Sequence, residues 1–256
     1  MGKKAVILAG GKGSRLAPYT TVLPKPLLPV GDRAILDVVV RQLKGYGFDD
    51  LTFAVGYLAH LIQAVFGDGS RHDVSIEYHE ESVPLGTAGA LATIDGLDDT
   101  FLAMNGDVLT AIDYADLYRI HREAGNVMTI ATHRRVVQTD YGVIHEDGLL
   151  GETRRVTGYT EKPEIPYTVS MGVYVFEPAV LDHLERDTYL DLPDLVLRLL
   201  GENLQVGHFL YDGYWLDIGR HDDYEKAITE YEQLKDTLWP EPEPEPQPVE
   251  INRTSG

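Results

Sequence analysis

Cysteine is absent from the 256 residues of this chain, which excludes disulfides and thiolate metal centres and leaves a reducing compartment open. Positive charge is scarce as well. Lys and Arg number 22 against 41 Asp and Glu, a formal net charge of −19, and the cations gather in no stripe. Nucleic acid is not an expected partner of such a surface. Long apolar runs are also missing. The run after Lys3 and Lys4 is too short for the apolar segment of a signal peptide and breaks into glycines, and nothing approaches the roughly 20 residues that cross a bilayer. A cytoplasmic chain without a membrane partner is therefore expected. Two common phosphate motifs are lacking too: there is no G-x-x-x-x-G-K-S/T, and Leu16 occupies the third glycine position of G-x-G-x-x-G.

What the chain does have is concentrated near its start. The apolar Lys3–Leu8 run leads into Ala9-Gly10-Gly11-Lys12-Gly13-Ser14-Arg15-Leu16 and on to Leu23-Pro24-Lys25-Pro26. Glycines let backbone N–H groups approach phosphate oxygens closely, because no Cβ intervenes. Arg15 and Lys25 can neutralise the charge those oxygens carry. A glycine turn after a first strand is by itself often a plain connection. Pro24 and Pro26, however, hold Lys25 in an extended segment, a costly way to place an ordinary surface lysine. The pattern predicts a polyphosphate site in an otherwise acidic protein.

Further along, strand-like and helix-like runs alternate. Val6–Ala9, Leu51–Val55, Val74–Tyr78, Phe101–Met104 and Val127–Thr132 read as strands. Ile35–Leu43 (capped by Asp32), Leu58–Phe66, Thr87–Ile94 and Tyr114–Glu123 (capped by Asp113) read as helices. This rhythm predicts an α/β fold, a Rossmann-like, mostly parallel sheet with helices on both faces. Ligands of such sheets bind at the carboxyl ends of the strands, where Gly10–Arg15 and Asp107 both fall. From Tyr141 the pattern turns β-rich: Gly142–His145 and Arg154–Thr160 flank an Asp147-Gly148 turn signal, and Thr168–Phe176 follows. Asp191 reads as a cap with Pro193 in the first turn of a helix, and Tyr224–Leu234 as a last amphipathic helix. The proline- and glutamate-rich stretch 240–256 reads as an extended solvated tail.

The run LAGGKGSRLAPYT…LPKPLLPV resembles the signature of the sugar-1-phosphate nucleotidylyltransferases. PLGTAGAL at Pro84–Leu91, NGD at Asn105–Asp107, YGVI at Tyr141–Ile144, EKP at Glu161–Pro163 and GYWLDIG at Gly213–Gly219 follow in that family's order. The resemblance extends over residues 3–235. It implies a nucleotidyltransferase domain over 1–239: a nucleotide-binding core to about 135, a sugar-binding lobe over about 136–220, and a closing helix over 221–239. It also implies transfer of a nucleotidyl group from a nucleoside triphosphate to a sugar 1-phosphate, with Mg²⁺ as cofactor and a homodimer or larger homo-oligomer left open.

Residue by residue, the resemblance makes Asp107 and Asp217 the metal-binding aspartates. Arg15 would grip the β- and γ-phosphates and Lys25 the α-phosphate. The nucleobase would lie over Leu8, Ala9, Gly10 and Gly11, with Gly13 in the phosphate turn and Gly106 freeing Asp107. It would abut Gly86 and Thr87, with Glu81 as reader of the base edge. A carboxylate there suits guanine, which offers two adjacent donors; an exposed loop glutamate is the equal alternative. Lys162 would hold the sugar phosphate, and Glu161, Tyr141, Gly142 and Gly172 would face the sugar. Taken alone, Asp107 reads as a turn residue, the Glu161-Lys162 pair as a surface ion pair, and Gly172 as a bulge. The best-fitting pair is GTP with mannose 1-phosphate or a related sugar or cyclitol phosphate, and the alternative is UTP or dTTP with glucose 1-phosphate. One departure counts against mannose: mannose-1-phosphate guanylyltransferases usually read Asn-Ala-Gly where this chain has Ser170-Met171-Gly172. Met171 is bulkier than alanine and Ser170 reaches less far than asparagine, which leaves a glucose-type or unusual sugar or a cyclitol phosphate open. Two other classes fit less well. A glycosyltransferase would carry an Asp-x-Asp motif, and none occurs. A non-catalytic regulatory homologue would be expected to lose part of the cationic and acidic set, which is complete.

Overall fold

Alternation along the first strand sets up the layers. In the computed structural model, which describes residues 2–81 and 83–238, β1 (Lys3–Ala9) sends Ala5, Ile7 and Ala9 into one buried cluster. Val6 faces a second cluster on the other side. A strand covered on both faces in this way belongs at the centre of a sheet. After it come the short pair β2 (Pro29–Val30) and β3 (Arg33–Ala34), helix α1 (Ile35–Gly45), β4 (Phe48–Val55), α2 (Ala59–Phe66), β5 (Ser75–Glu80) and α3 (Gly86–Gly89). β6 (Phe101–Asn105), β7 (Val108–Thr110), α4 (Tyr114–Ala124), β8 (Met128–Gln138), β9 (Val143–Leu150), β10 (Thr153–Thr160) and β11 (Glu164–Phe176) follow. The chain continues through α5 (Leu192–Gly201), β12 (Val206–Leu210), β13 (Trp215–Asp217) and α6 (His221–Leu238).

Seven strands form the main sheet in the order β12-β8-β11-β6-β1-β4-β5. Only β11 runs against its neighbours β6 and β8; the other pairs are parallel. The expected α/β architecture is therefore present, with one reversed strand. The carboxyl ends of β6, β1, β4 and β5 lie side by side and deliver Asp107, Gly10–Arg15, Gly56 and Glu81 to one edge. β13 pairs with β7 and, with α6, closes a third buried cluster over Leu16, Leu28 and Ile35. β9 and β10 form a separate ribbon with most side chains exposed. No helix among the described residues is long and apolar enough to cross a membrane. The 240–256 stretch lies outside the described residues.

Several local expectations need correcting. Asp32 does not cap α1. It sits in the tight β2–β3 turn after Gly31 (φ +58°), and Ala34 holds the cap position without a side-chain bond. The 87–94 helix is one α turn, Gly86–Gly89, followed by a 3-10 turn, Ala90–Thr93. The N–H groups of Ala88 and Gly89 donate to Leu190 O, both at 3.0 Å, which ties this segment to another part of the chain. Lys25 is not extended but opens a 3-10 turn, Lys25–Leu27. Asp147-Gly148 lies within β9 at a register shift, because Leu149 and Leu150 go on pairing with Arg154 and Thr153. Asp191 stands at the cap position of α5, but its side chain bonds Thr87 rather than its own helix. Asp113 does cap α4, accepting from Asp116 N at 2.8 Å.

A charged cluster pins the far side of α1. Asp37 accepts from Arg33 Nη1 at 3.0 Å and Arg41 Nε at 3.1 Å, and its Oδ1 lies 2.8 Å from His72 Nε2. Burial pushes the Asp37 carboxyl up, but hydrogen bonds from His72 and Arg33 and the charge of Arg41 outweigh it and hold the carboxyl below its ordinary range. A depressed carboxylate stabilises the fold above its unfolded pKa, and that contribution is lost as pH falls through the folded value. Asp37→Asn is therefore expected to lower the thermal midpoint by about 2–4 °C at pH 7, the scale of about 1 kcal/mol in a domain of this size. The difference from wild type should shrink below pH ~4. A pH series of melting curves checks it; a difference that grows on acidification would refute it.

Candidate active site

A cleft of about 650 Å³ opens at the carboxyl ends of β1, β4, β5 and β6. Of the expected residues, Leu8, Ala9, Gly10, Gly11, Gly13, Arg15, Lys25, Glu81, Gly86, Thr87 and Asp107 line it. The loop after β1 can fold this way only with glycine at 13. There φ is +59°, and a Cβ would stand 3.0 Å from Thr20 Cγ2 and 3.2 Å from Lys25 Cβ. Thr20 Oγ1 fastens the turn by donating to Gly13 O at 2.9 Å. Around Gly11 the space is open, as close approach of a ligand to the backbone requires. Gly106 lets the chain turn beneath this loop: its N–H donates to Leu8 O at 2.9 Å, and a Cβ would press on Ile7 Cγ2 at 3.2 Å.

Charge is paired at the floor of the cleft. Buried Lys25 forms an ion pair with Asp107 Oδ2. The other oxygen, Asp107 Oδ1, is buried without a hydrogen-bond partner. Asp217 is brought alongside by pairing of β13 with β7 and by Ile218 N donating to Asp107 O at 3.3 Å. Its carboxyl is pushed above the ordinary range by burial and then by the charge of Asp107, while Lys25 and Arg15 pull the other way. A Cβ at Gly219 would lie 3.7 Å from Asp217 Oδ2 and 3.9 Å from Arg15 Nη1, so these two groups face the same space. The Asp217 carboxyl, crowded by the charge of Asp107, and the Asp107 carboxylate with its orphaned oxygen together fit a hard divalent cation with oxygen ligands. No group of three or more metal-binding side chains occurs among the described residues. The two carboxylates would thus share such an ion with substrate oxygens and water, as Mg²⁺ accepts.

The end of the cleft around Glu81 and Gly86 is more tightly braced than its sequence implies. Glu81 Oε2 accepts from Leu85 N at 3.0 Å, so only Oε1 is uncommitted to that turn. Gly86 has φ +77°, and a Cβ there would meet Leu190 O at 2.5 Å. Tyr189 and Asp191 line this end too, and sequence reasoning missed both as site residues. So did it miss Lys12, Tyr57 and Asn105, which also line the cleft; of these Lys12 and Asn105 carried a signal, through their places in the glycine loop and beside Asp107, and Tyr57 carried none.

Tyr141, Gly142, Glu161 and Lys162 are not among the residues that line the cleft. They cluster at the base of the exposed β9–β10 ribbon, where Tyr159 OH donates to Glu161 Oε2 at 2.9 Å and Lys162 has φ +46°. Gly142 lies against both Tyr159 and Glu161. Gly172, with φ +75°, sits between the two regions: a Cβ would come within 2.7 Å of Asn105 Nδ2. Met171 beside it is buried in the core, and its carbonyl accepts from Trp215 Nε1 at 3.0 Å.

Known proteins with related sequences point the same way. A UTP–glucose-1-phosphate uridylyltransferase from Synechocystis is 34% identical over 245 residues, covering 88% of this chain and 62% of its own length. A mannose-1-phosphate guanylyltransferase from Mycobacterium tuberculosis is 33% identical over 232 residues, covering 88% of this chain and 64% of its own. The chain thus spans 62–64% of the length of these relatives. In fold it is similar to the crystal structure of HddC from Yersinia pseudotuberculosis, with a TM-score of 0.66 at 23% identity, over 90% of this chain and 99% of that one. Residues 4–234 match the sequence profile of the nucleotidyl transferases, and the chain belongs to that family.

Proposed function

We propose that this chain transfers a nucleotidyl group from a nucleoside triphosphate to a sugar 1-phosphate, giving a nucleotide sugar and pyrophosphate. The observation that carries the reading is Arg15, Lys25 and Asp107 lining one cleft with a glycine-rich loop, and Asp217 near enough to feel the charges of all three. Both reactants are anions, so charge must be cancelled before an oxygen of the sugar phosphate can approach the α-phosphorus in line with departing pyrophosphate. Bound by Asp107 and Asp217, Mg²⁺ would supply part of that cancellation and orient the phosphates. Arg15 would hold the β- and γ-phosphates. Lys25, kept in place by Asp107, would stabilise charge that grows on the α-phosphate. Lys162 would engage the sugar phosphate and Glu161 the sugar hydroxyls, with Tyr141 and the backbone at Gly142 and Gly172 alongside.

GTP with mannose 1-phosphate, or a related sugar or cyclitol phosphate, is the pair we favour, and UTP or dTTP with glucose 1-phosphate the alternative. The two relatives above are named for one pair each. Burial of the Met171 side chain in the core supports keeping mannose in the pair, since its bulk is turned into the fold; the shorter Ser170 still counts against it. The expected setting is the cytoplasm. Pyrophosphate release from five nucleoside triphosphates against several sugar 1-phosphates tests the pairing; release with GTP and mannose 1-phosphate at or below background would discard it.

Glu81 gives a sharper test of the base. If its free Oε1 accepts from guanine N1–H and N2–H₂ while Oε2 stays on Leu85 N, Glu81→Gln turns a donor toward those donors. GTP use should then fall about ten- to a hundredfold, on the scale of ~1–3 kcal/mol for a bidentate base contact. UTP or dTTP should suffer less. Equal loss for every triphosphate would instead assign Glu81 to bracing Leu85.

A further inference from the structure

The segment before α5 is strapped onto the turn that begins at Pro84. Leu190 N donates to Leu85 O at 2.9 Å, and Leu190 O accepts from Ala88 N and Gly89 N, each at 3.0 Å. Asp191 completes the strap. Its Oδ1 accepts from Thr87 N at 3.1 Å and Thr87 Oγ1 at 3.3 Å, and its Oδ2 from Tyr189 OH at 2.8 Å. Thr87 Oγ1 in turn accepts from Leu192 N at 2.9 Å. The contact is close enough that a Cβ at Gly89 would meet Thr188 O at 2.5 Å.

The strap leaves Tyr189 in an unusual position. Tyr189 lines the same cleft as Leu8, Glu81, Gly86 and Thr87, yet it is 61% exposed. An exposed aromatic ring is normally free to rotate. This one is tethered at its hydroxyl to a carboxylate whose other oxygen is committed to Thr87, so much of the ordering cost of a contact is met before any ligand arrives. Burial raises the Asp191 carboxyl but the hydrogen bonds from Tyr189 and Thr87 outweigh it, so the anchor stays ionised at neutral pH.

We infer that Tyr189 is a binding residue for the nucleoside half of the triphosphate, its ring closing part of the cleft wall, and that Asp191 is the positioning residue that sets both this ring and Thr87. The inference rests on the nucleotide reading of the cleft. It separates the ligand into two parts: the phosphates belong to the glycine loop, Arg15 and Lys25, and the nucleoside to the strap.

The test compares two ligands on the full chain: the nucleoside triphosphate that wild type binds best, and inorganic tripolyphosphate, which has the phosphates alone. Tyr189→Ala should weaken the triphosphate about tenfold, the size of one aromatic–base contact, while tripolyphosphate affinity stays within twofold. Tyr189→Phe keeps the ring and loses the tether, and should fall between wild type and alanine. Asp191→Asn should follow Tyr189→Phe in the same ligand split, which loss of general stability would not produce. Equal weakening of both ligands, or unchanged triphosphate affinity in Tyr189→Ala with an intact melting curve, would overturn the inference, as would a wild type that binds tripolyphosphate as well as any nucleotide. The split in binding supports it whether or not pyrophosphate is released, so failure of the transferase reading and failure of this inference are told apart.

Discussion

Asp217→Asn is expected to lower nucleotidyl transfer by about a hundred- to a thousandfold, the usual scale for removing one electrostatic contributor from such a site, while leaving the apo fold as stable or slightly more so. The two effects have opposite signs for one reason. In the free protein the Asp217 carboxylate is held against burial and against the charge of Asp107, so neutralising it removes a repulsion. With Mg²⁺ and substrate bound, that same charge would be an ion ligand, and an amide is a poor replacement. Activity and melting temperature should therefore part company. Near-normal pyrophosphate release from this variant in Mg²⁺ would sink the metal assignment, and a large fall in midpoint would make Asp217 a structural residue.

Lys25→Ala is expected to depress kcat by a similar factor, about a hundredfold or more, with KM for the triphosphate moving only a few-fold. The lysine is buried and points its ammonium at Asp107, where the α-phosphate would lie. A charge that matters most when phosphorus is five-coordinate appears in kcat more than in ground-state binding. The variant also strands Asp107 in a buried position, so some stability should go with it. Lys162→Ala supplies the contrast: KM for the sugar phosphate should rise with little change for the triphosphate. A reversal of those two patterns would mean the roles are exchanged.

Much of this architecture was legible in the sequence because its signals are local. A short apolar run ending in glycines reads, by its length and its flanks, as a buried strand feeding a turn, and alternation along Lys3–Ala9 decides which side chains meet which layer. Asp113 caps its helix as its spacing implies. What could not be read depended on partners distant in sequence. The 87–94 segment is cut to one α turn and a 3-10 turn, and its first-turn N–H groups are satisfied by Leu190, a hundred residues on. Asp191 looks like an ordinary cap until Thr87 is found beside it, and nothing local marks Tyr189. Asp147-Gly148 is a strong turn signal overruled by two leucines that continue the ladder. Among the candidate site residues, the glycine loop, Lys25 and Asp107 come together in one cleft. Tyr141, Gly142, Glu161 and Lys162 gather on the ribbon outside its lining, a separation that spacing along a chain does not encode.

The central claim is transfer, and its most direct measurement follows the α-phosphorus. Triphosphate labelled with ³²P at the α-position, incubated with the full chain, Mg²⁺ and a sugar 1-phosphate, should pass its label into a nucleotide sugar. Pyrophosphate should form in equal amount, and nothing should be released without the sugar phosphate. Label recovered as nucleoside monophosphate regardless of sugar phosphate, or left in triphosphate with every sugar 1-phosphate tried, would contradict it.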